Sequence, residues 1–140
     1  MIEEARKAFP KECCGLLLGR FGRIQTALPA RNVHDKPERC FESDPQALID
    51  AHRAERSGGP SLIGYYHSHP NGEPYPSPTD RESAAGDGRI WAIIGSAGVM
   101  VWEEYRSGFV AQTWDIVDER RSPGRLAWNR PLARVRRWKS

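Results

Sequence analysis

The sequence predicts an α/β domain in which helices cover a mixed β-sheet. Two observations support this fold class. Segments with helical spacing of apolar residues alternate with short runs of β-branched and aromatic residues, and Gly or Pro residues separate most of these segments. A chain of 140 residues is also long enough to bury one hydrophobic core without disulfides, so a single domain is expected. The strand order does not follow from the sequence.

The first elements are a helix, a hairpin and a loop. Apolar side chains recur at helical spacing in residues 2–9, and Pro10 ends this helix. Residues 14–20 and 23–30 are two β-like runs joined by a Phe-Gly pair, a pattern typical of a hairpin. The polar stretch at residues 32–43 is expected to be a loop.

A second helix has clear start and stop signals. Ser43 or Asp44 can cap its N-terminus, and Pro45 suits a first helical turn. Apolar residues follow at helical spacing until Gly58 and Gly59, which are typical of a helix end. We therefore expect a helix between the loop and the next strand.

The second half of the chain predicts a strand, a short helix and three further strands. Residues 61–67 are rich in aromatic and β-branched side chains, and residues 77–86 begin with helix-start chemistry. Residues 90–96, 99–105 and 109–117 are strand-like runs joined by turns that contain Gly.

Composition excludes several classes of protein. No apolar run approaches the roughly 18 residues that a membrane-spanning helix needs. The first ten residues carry acids and lack the pattern of a secretory signal, so we expect a cytoplasmic protein. The three cysteines have neither an even count nor metal-knuckle spacing, and we interpret them as reduced packing residues.

The charge is unevenly distributed between residues 1–119 and a basic tail at residues 120–140. The tail holds eight of the 21 Lys and Arg residues and none of the 18 acidic residues. Such a tail can bind nucleic acid through its phosphates, but we favour a solvated terminus over a nucleic-acid partner. Its apolar side chains would then dock on the domain: Trp128, Leu132, Val135 and Trp138.

Two histidines at the end of a predicted strand suggest a metal site. His67 and His69 are two positions apart, so both imidazoles leave the same face of the strand. Asp80 follows across a segment with four prolines, which limits the conformations of the loop. Two His and one carboxylate suit Zn²⁺ and leave a fourth position for water, as in catalytic zinc sites.

The same residues also have an ordinary structural interpretation. Strand-end histidines often only hydrogen-bond to backbone carbonyls, so His67 and His69 alone are a weak signal. Ser77, Pro78 and Asp80 fit an N-cap, a first helical residue and a capping-box partner. The two interpretations are compatible, because a helix start would orient both Ser77 and Asp80.

At this point the sequence resembles a known family. The stretch HSHPNGEPYPSPTD is similar to the metal-binding pattern of the JAMM (MPN+) metalloproteases, and PKECCGLLLGR resembles the glutamate-bearing segment of that family. The resemblance implies a cytidine-deaminase-like α/β fold and Zn²⁺ bound by His67, His69 and Asp80. It also implies Glu12 as the catalytic glutamate and Ser77 as a donor to the oxyanion. Spacing alone does not single out Glu12 from the other acids upstream of Asp80.

Short bacterial-type members of the family resemble this chain most, because both lack inserted segments that grip ubiquitin. The implied reaction is hydrolysis of a peptide or amino-acid adduct at the C-terminal Gly-Gly of a ubiquitin-like sulfur-carrier protein. The alternative is a non-catalytic MPN-type module that binds ubiquitin-like proteins. Family members usually have a strand before the first helix. Here Met1 opens the helical pattern directly, so either the start is displaced or a sheet edge is covered by the tail or by another copy of the chain, as a homo-oligomer.

Two other metal-site classes compete with this interpretation. A metal-dependent phosphoesterase or amidohydrolase needs further histidines, and only His34 and His52 remain. A zinc nucleobase deaminase is disfavoured because no Pro-Cys-x-x-Cys accompanies a His-x-Glu.

Overall fold

The computed structural model describes residues 1–20, 22–117 and 132–136. Its elements follow the predicted order through residue 117, with one further strand after it. The helices are α1 (Ile2–Ala8), α2 (Pro45–Arg56) and α3 (Pro78–Ser83). The strands are β1 (Cys14–Arg20), β2 (Arg23–Ala30), β3 (Ser61–Ser68), β4 (Asp87–Gly95), β5 (Gly98–Tyr105), β6 (Gly108–Val117) and β7 (Leu132–Arg136).

The strands form one mixed sheet that closes on itself, which confirms the predicted α/β class. Its order is β1-β2-β7-β6-β5-β4-β3, with β3 paired back to β1. Within the described strands, β3 and β4 are the parallel pair and the other neighbours are antiparallel. A parallel pair needs a crossover connection, and here the connection contains α3. Of the predicted metal ligands, His67 lies at the end of β3, His69 lies at the start of the crossover, and Asp80 lies in α3.

Strand β1 lies between β2 and β3 and carries core residues on both faces. Leu17 and Tyr66 belong to a cluster that packs against α1, whereas Leu16 and Leu62 belong to a second cluster that packs against α2. Each fully buried side chain of this kind contributes about 1.5–3 kcal/mol. Gly15 is required in β1, because an added Cβ atom would lie 2.3 Å from the Tyr66 ring.

Strand β7 lies within the predicted basic tail. Its backbone pairs with β6 from Thr113↔Arg136 to Val117↔Leu132, and with β2 through Arg23↔Arg134 and Ile24↔Ala133. The tail was one of the two segments that we expected to pair with or cover an exposed sheet edge. Trp128 and Trp138 lie outside the described residues, and the boundary at residue 119 stays a prediction. No helix in the described part of the chain is long and apolar enough to span a membrane.

Candidate metal centre

The two histidines extend from the carboxyl end of β3 into the crossover. His67 is the partner of Cys14 in β1 and of Ile93 in β4, so its backbone is held on both sides. His69 follows the strand, and its N–H donates to the Ile94 carbonyl at 3.0 Å. Both residues are buried, with 0% exposure for His67 and 8% for His69. Alternation along the strand therefore aims both rings at one point, as the sequence predicted.

Asp80 reaches the same point from the first turn of α3. The Ser77 Oγ accepts a hydrogen bond from the Asp80 N–H at 3.1 Å, and the Asp80 Oδ2 accepts one from the Ser77 N–H at 2.8 Å. This is the predicted capping box, with Pro78 in the first turn. The cap fixes the direction of the Asp80 carboxylate, and that side chain is buried.

The three side chains bring nitrogen and oxygen atoms into close contact. The His67 Nε2 lies 3.2 Å from the Asp80 Oδ1, the His69 Nε2 lies 3.1 Å from the Asp80 Oδ2, and the two Nε2 atoms are 2.9 Å apart. A tetrahedral ion with bonds of about 2.0–2.1 Å would hold its donor atoms about 3.3 Å apart. The donor set and its spacing therefore fit Zn²⁺, with a fourth position left for water.

Neighbouring groups fix the orientation of both rings. The His69 Nδ1 lies 2.7 Å from the Glu73 carbonyl, to which an Nδ1–H donates, so the Nε2 lone pair faces the centre. Phe41 stacks on the His67 ring at a centroid distance of 4.3 Å, and Trp91 meets that ring edge-on at 5.8 Å. The His67 Nδ1 has no hydrogen-bond partner among the described residues. Aromatic packing therefore orients His67.

The electrostatics of the cluster favour the ligand forms of His67 and Asp80. Burial lowers the pKa of His67, which keeps its ring neutral. Burial acts against the ionised form of Asp80, but hydrogen bonds from His67 and His69 outweigh it and lower its pKa. Burial would also lower the pKa of His69, but the hydrogen bonds to Asp80 and to the Glu73 carbonyl raise it.

Glu12 stands at the entry to β1 and is only 5% exposed. Its N–H donates to the Pro37 carbonyl at 2.7 Å, and the Asn32 side-chain amide donates to the Glu12 carbonyl at 3.1 Å. Burial raises the pKa of Glu12 to about 7, with a lowering effect from His69 and a raising effect from Asp80. Glu12 therefore lies within electrostatic range of the cluster and titrates near neutral pH.

Of the remaining predicted residues, Ser77 lies at the candidate site, whereas His34 and His52 do not. Ser77 is half-buried beside Asp80, and its hydroxyl hydrogen has no acceptor within the described residues. His34 and His52 lie away from the cluster, His34 beside Asp35 and His52 beside Glu55. They do not supply the extra ligands that a phosphoesterase or amidohydrolase site would need.

Sequence reasoning missed the groups that orient the ligands. The loop residues Asn32 and Phe41 contact the site from far along the chain, and Trp91 reaches it from β4. One signal for Asn32 was present, since the resemblance to the family spans about residues 1–116 and includes the Arg-Asn-Val run at residues 31–33. The Asn32 side chain bridges the carbonyls of Glu12 and Cys40.

A closed mixed sheet that carries a buried His-x-His pair and a capping aspartate beside a buried glutamate defines a JAMM-type (MPN+) domain. Residues 1–122 match the family described as prokaryotic homologs of the JAB domain. The chain belongs to this family, which confirms the resemblance seen in the sequence.

Similar proteins include a desampylase and a probable conjugate cleaving protease. A desampylase from Haloferax volcanii is 37% identical over 98 residues, which cover 69% of this chain and 70% of the relative. A probable TtuB-protein conjugate cleaving protease from Thermus thermophilus is 38% identical over 104 residues, which cover 71% of this chain and 68% of the relative. The solution structure of a protein from Desulfitobacterium hafniense superposes with a TM-score of 0.69 at 28% identity, covering 79% and 82% of the two chains.

Proposed function

We propose that this protein is a zinc-dependent peptidase that hydrolyses an adduct at the C-terminal Gly-Gly of a ubiquitin-like sulfur-carrier protein. The observation that carries the proposal is the convergence of His67, His69 and Asp80 within electrostatic range of the buried Glu12. The three ligands would hold Zn²⁺. When bound there, Zn²⁺ lowers the pKa of water to about 7 and polarises a neighbouring carbonyl.

Glu12 is the general base of the proposed reaction. In the metal-free protein burial raises the pKa of Glu12 to about 7, so this carboxylate can take up a proton near neutral pH. Its carboxylate takes a proton from the attacking water and later gives that proton to the leaving amine. The Asn32 side-chain amide donates to the Glu12 carbonyl and the Glu12 N–H donates to the Pro37 carbonyl, and these two bonds hold the residue at the start of β1 while it transfers the proton.

Ser77 stabilises the oxyanion of the tetrahedral intermediate. Its Oγ already accepts the Asp80 N–H, so the hydroxyl hydrogen is available to donate to substrate. The capping box fixes this hydroxyl beside the metal ligand Asp80.

Two observations support the proposed substrate class: the names of two relatives, and the fit of a Gly-Gly tail to a buried site. One relative is named a desampylase and another a conjugate cleaving protease. A flexible tail that ends in two glycines suits a buried site, because Gly lets the backbone lie close to a metal. We also propose a cytoplasmic location, since the three cysteines are free.

The test combines metal analysis with cleavage of a carrier extended past Gly-Gly. The purified protein should contain one zinc per chain and release the extension, and Glu12→Gln should keep the zinc and lose cleavage. A zinc-loaded Glu12→Gln protein that cleaves at the original rate would refute the mechanism. A zinc-loaded original protein that binds the carrier tightly and cleaves nothing would instead support the non-catalytic module.

A further inference from the structure

A basic groove opens beside the metal centre on the side of α1. It has a volume of about 560 Å³ and includes His69 and the preceding Ser68. Its charged residues are Arg6 and Lys11, and no acidic residue from the described part of the chain lines it. The half-exposed Ile2 and the exposed Phe9 form an apolar rim. The groove therefore suits an anionic group attached to an apolar one.

Lys11 connects this groove with the proposed general base. A second groove, of about 570 Å³, contains Glu12 and shares Lys11 with the first. The Lys11 N–H donates to the Ala8 carbonyl at 2.9 Å, which fixes its backbone at the end of α1. Lys11 thus lies at the junction of a groove that reaches a metal ligand and a groove that reaches the base.

The Lys11 ammonium is available to bind a ligand. The residue is exposed, and it forms no ion pair with another described residue. Arg6 lies 3.9 Å from Glu3, and both of those side chains are largely exposed. An exposed ammonium without an ion-pair partner among the described residues can accept an anionic group of the substrate.

The direction of proton transfer places the leaving group on this side of the site. A general base passes its proton to the leaving amine, so that amine must lie near Glu12 and the proposed metal ligands, and the basic groove that contains both His69 and Lys11 opens there. If the leaving group is a single amino acid, its free α-carboxylate is attached to the carbon next to the amine. We propose, on the basis of the proposed function, that Lys11 binds this α-carboxylate and makes the enzyme selective for adducts of one amino acid. Arg6 adds to the positive charge of the groove.

Three forms of one carrier test this selectivity. The first ends in Gly-Gly-Ala with a free carboxylate, the second ends in Gly-Gly-alaninamide, and the third carries five alanines after Gly-Gly. The original protein should favour the first form over each of the others by about tenfold in kcat/KM, as expected for one charge-assisted hydrogen bond at an exposed site. The five-alanine form also ends in a carboxylate, but that carboxylate is far from the leaving amine. Its rate therefore shows whether the enzyme recognises a carboxylate next to the amine or any C-terminal carboxylate.

Substitution of Lys11 should remove the preference. Lys11→Gln should bring the rates on the free-acid and amide forms to within about twofold by slowing the free-acid form alone, and Lys11→Arg should retain most of the ratio. The matched control is Lys36→Gln, an exposed lysine outside both grooves, which should leave the ratio unchanged. Calorimetry with Glu12→Gln should show the same preference in Kd without turnover.

The outcomes separate this inference from the proposed function. If no form is cleaved, the proposed function fails. If all forms are cleaved and the original protein treats acid and amide alike, only the role of Lys11 fails. An equal loss on acid and amide in Lys11→Gln would also overturn the inference, because Lys11 would then affect the base or dock another part of the carrier.

Discussion

Neutralising Glu12 should stabilise the metal-free protein while it removes activity. Burial raises the pKa of Glu12 from 4.5 to about 7, so the folded state holds its proton more tightly than the unfolded state. Between these two values the folded protein keeps a proton that the unfolded chain has released. The original protein therefore loses stability as pH rises through this window, whereas Glu12→Gln has no group to deprotonate.

The size of the effect follows from the shift in pKa. At 1.36 kcal/mol for each pKa unit, Glu12→Gln should gain about 1 kcal/mol over the original protein at pH 5 and about 3 kcal/mol at pH 8. A gain of this size is a large share of the roughly 5–15 kcal/mol by which domains are stable. The same amount is the stability that the original protein loses by keeping a base buried near the proposed metal ligands.

Urea unfolding with excess chelator at pH 5 and pH 8 measures this difference. Glu38→Gln is the matched control, since Glu38 is exposed and its change should stay within about 0.5 kcal/mol at both pH values. Equal gains for Glu12→Gln at pH 5 and pH 8 would show that burial does not raise the pKa of Glu12. The proposed activation of the base would then be wrong.

Three other predictions test the site and the core. Ser77→Ala should lower kcat by about 100-fold with zinc retained, and should cost about 0.5–2 kcal/mol through loss of the cap; an unchanged kcat would exclude the hydroxyl from oxyanion binding. His69→Ala should lose zinc in elemental analysis, whereas the exposed His52→Ala should keep it. Leu17→Ala should lose about 2–5 kcal/mol in urea unfolding, against a change within about 0.5 kcal/mol for the exposed Ile49→Ala.

Local chemistry explains why the elements up to residue 117 could be predicted. The end of the first helix at Pro10, the cap and proline of α2, and the Ser77 capping box each depend on residues within four positions of one another. Alternation along β3 placed both histidines on one face without knowledge of the neighbouring strands. The ligand geometry followed from these local signals.

Contacts between distant segments could not be predicted in this way. Closure of the sheet depends on β7 pairing with β2 and β6, and strand pairing leaves little trace in the sequence of a short strand. The stacking of Phe41 on His67 joins a loop to a strand 26 positions later. Glu12 was identified only through the resemblance, because its burial and its pKa depend on a loop that folds over it from Asn32 and Pro37.

The residues of the candidate site come from two separate segments of the chain. The three proposed metal ligands and Ser77 come from one contiguous segment, residues 67–80, whereas the proposed base comes from the start of β1. Under the proposed function, a single substitution at Glu12 would therefore remove hydrolysis and leave the segment that would hold the ion, and with it the binding of the same tail, undisturbed.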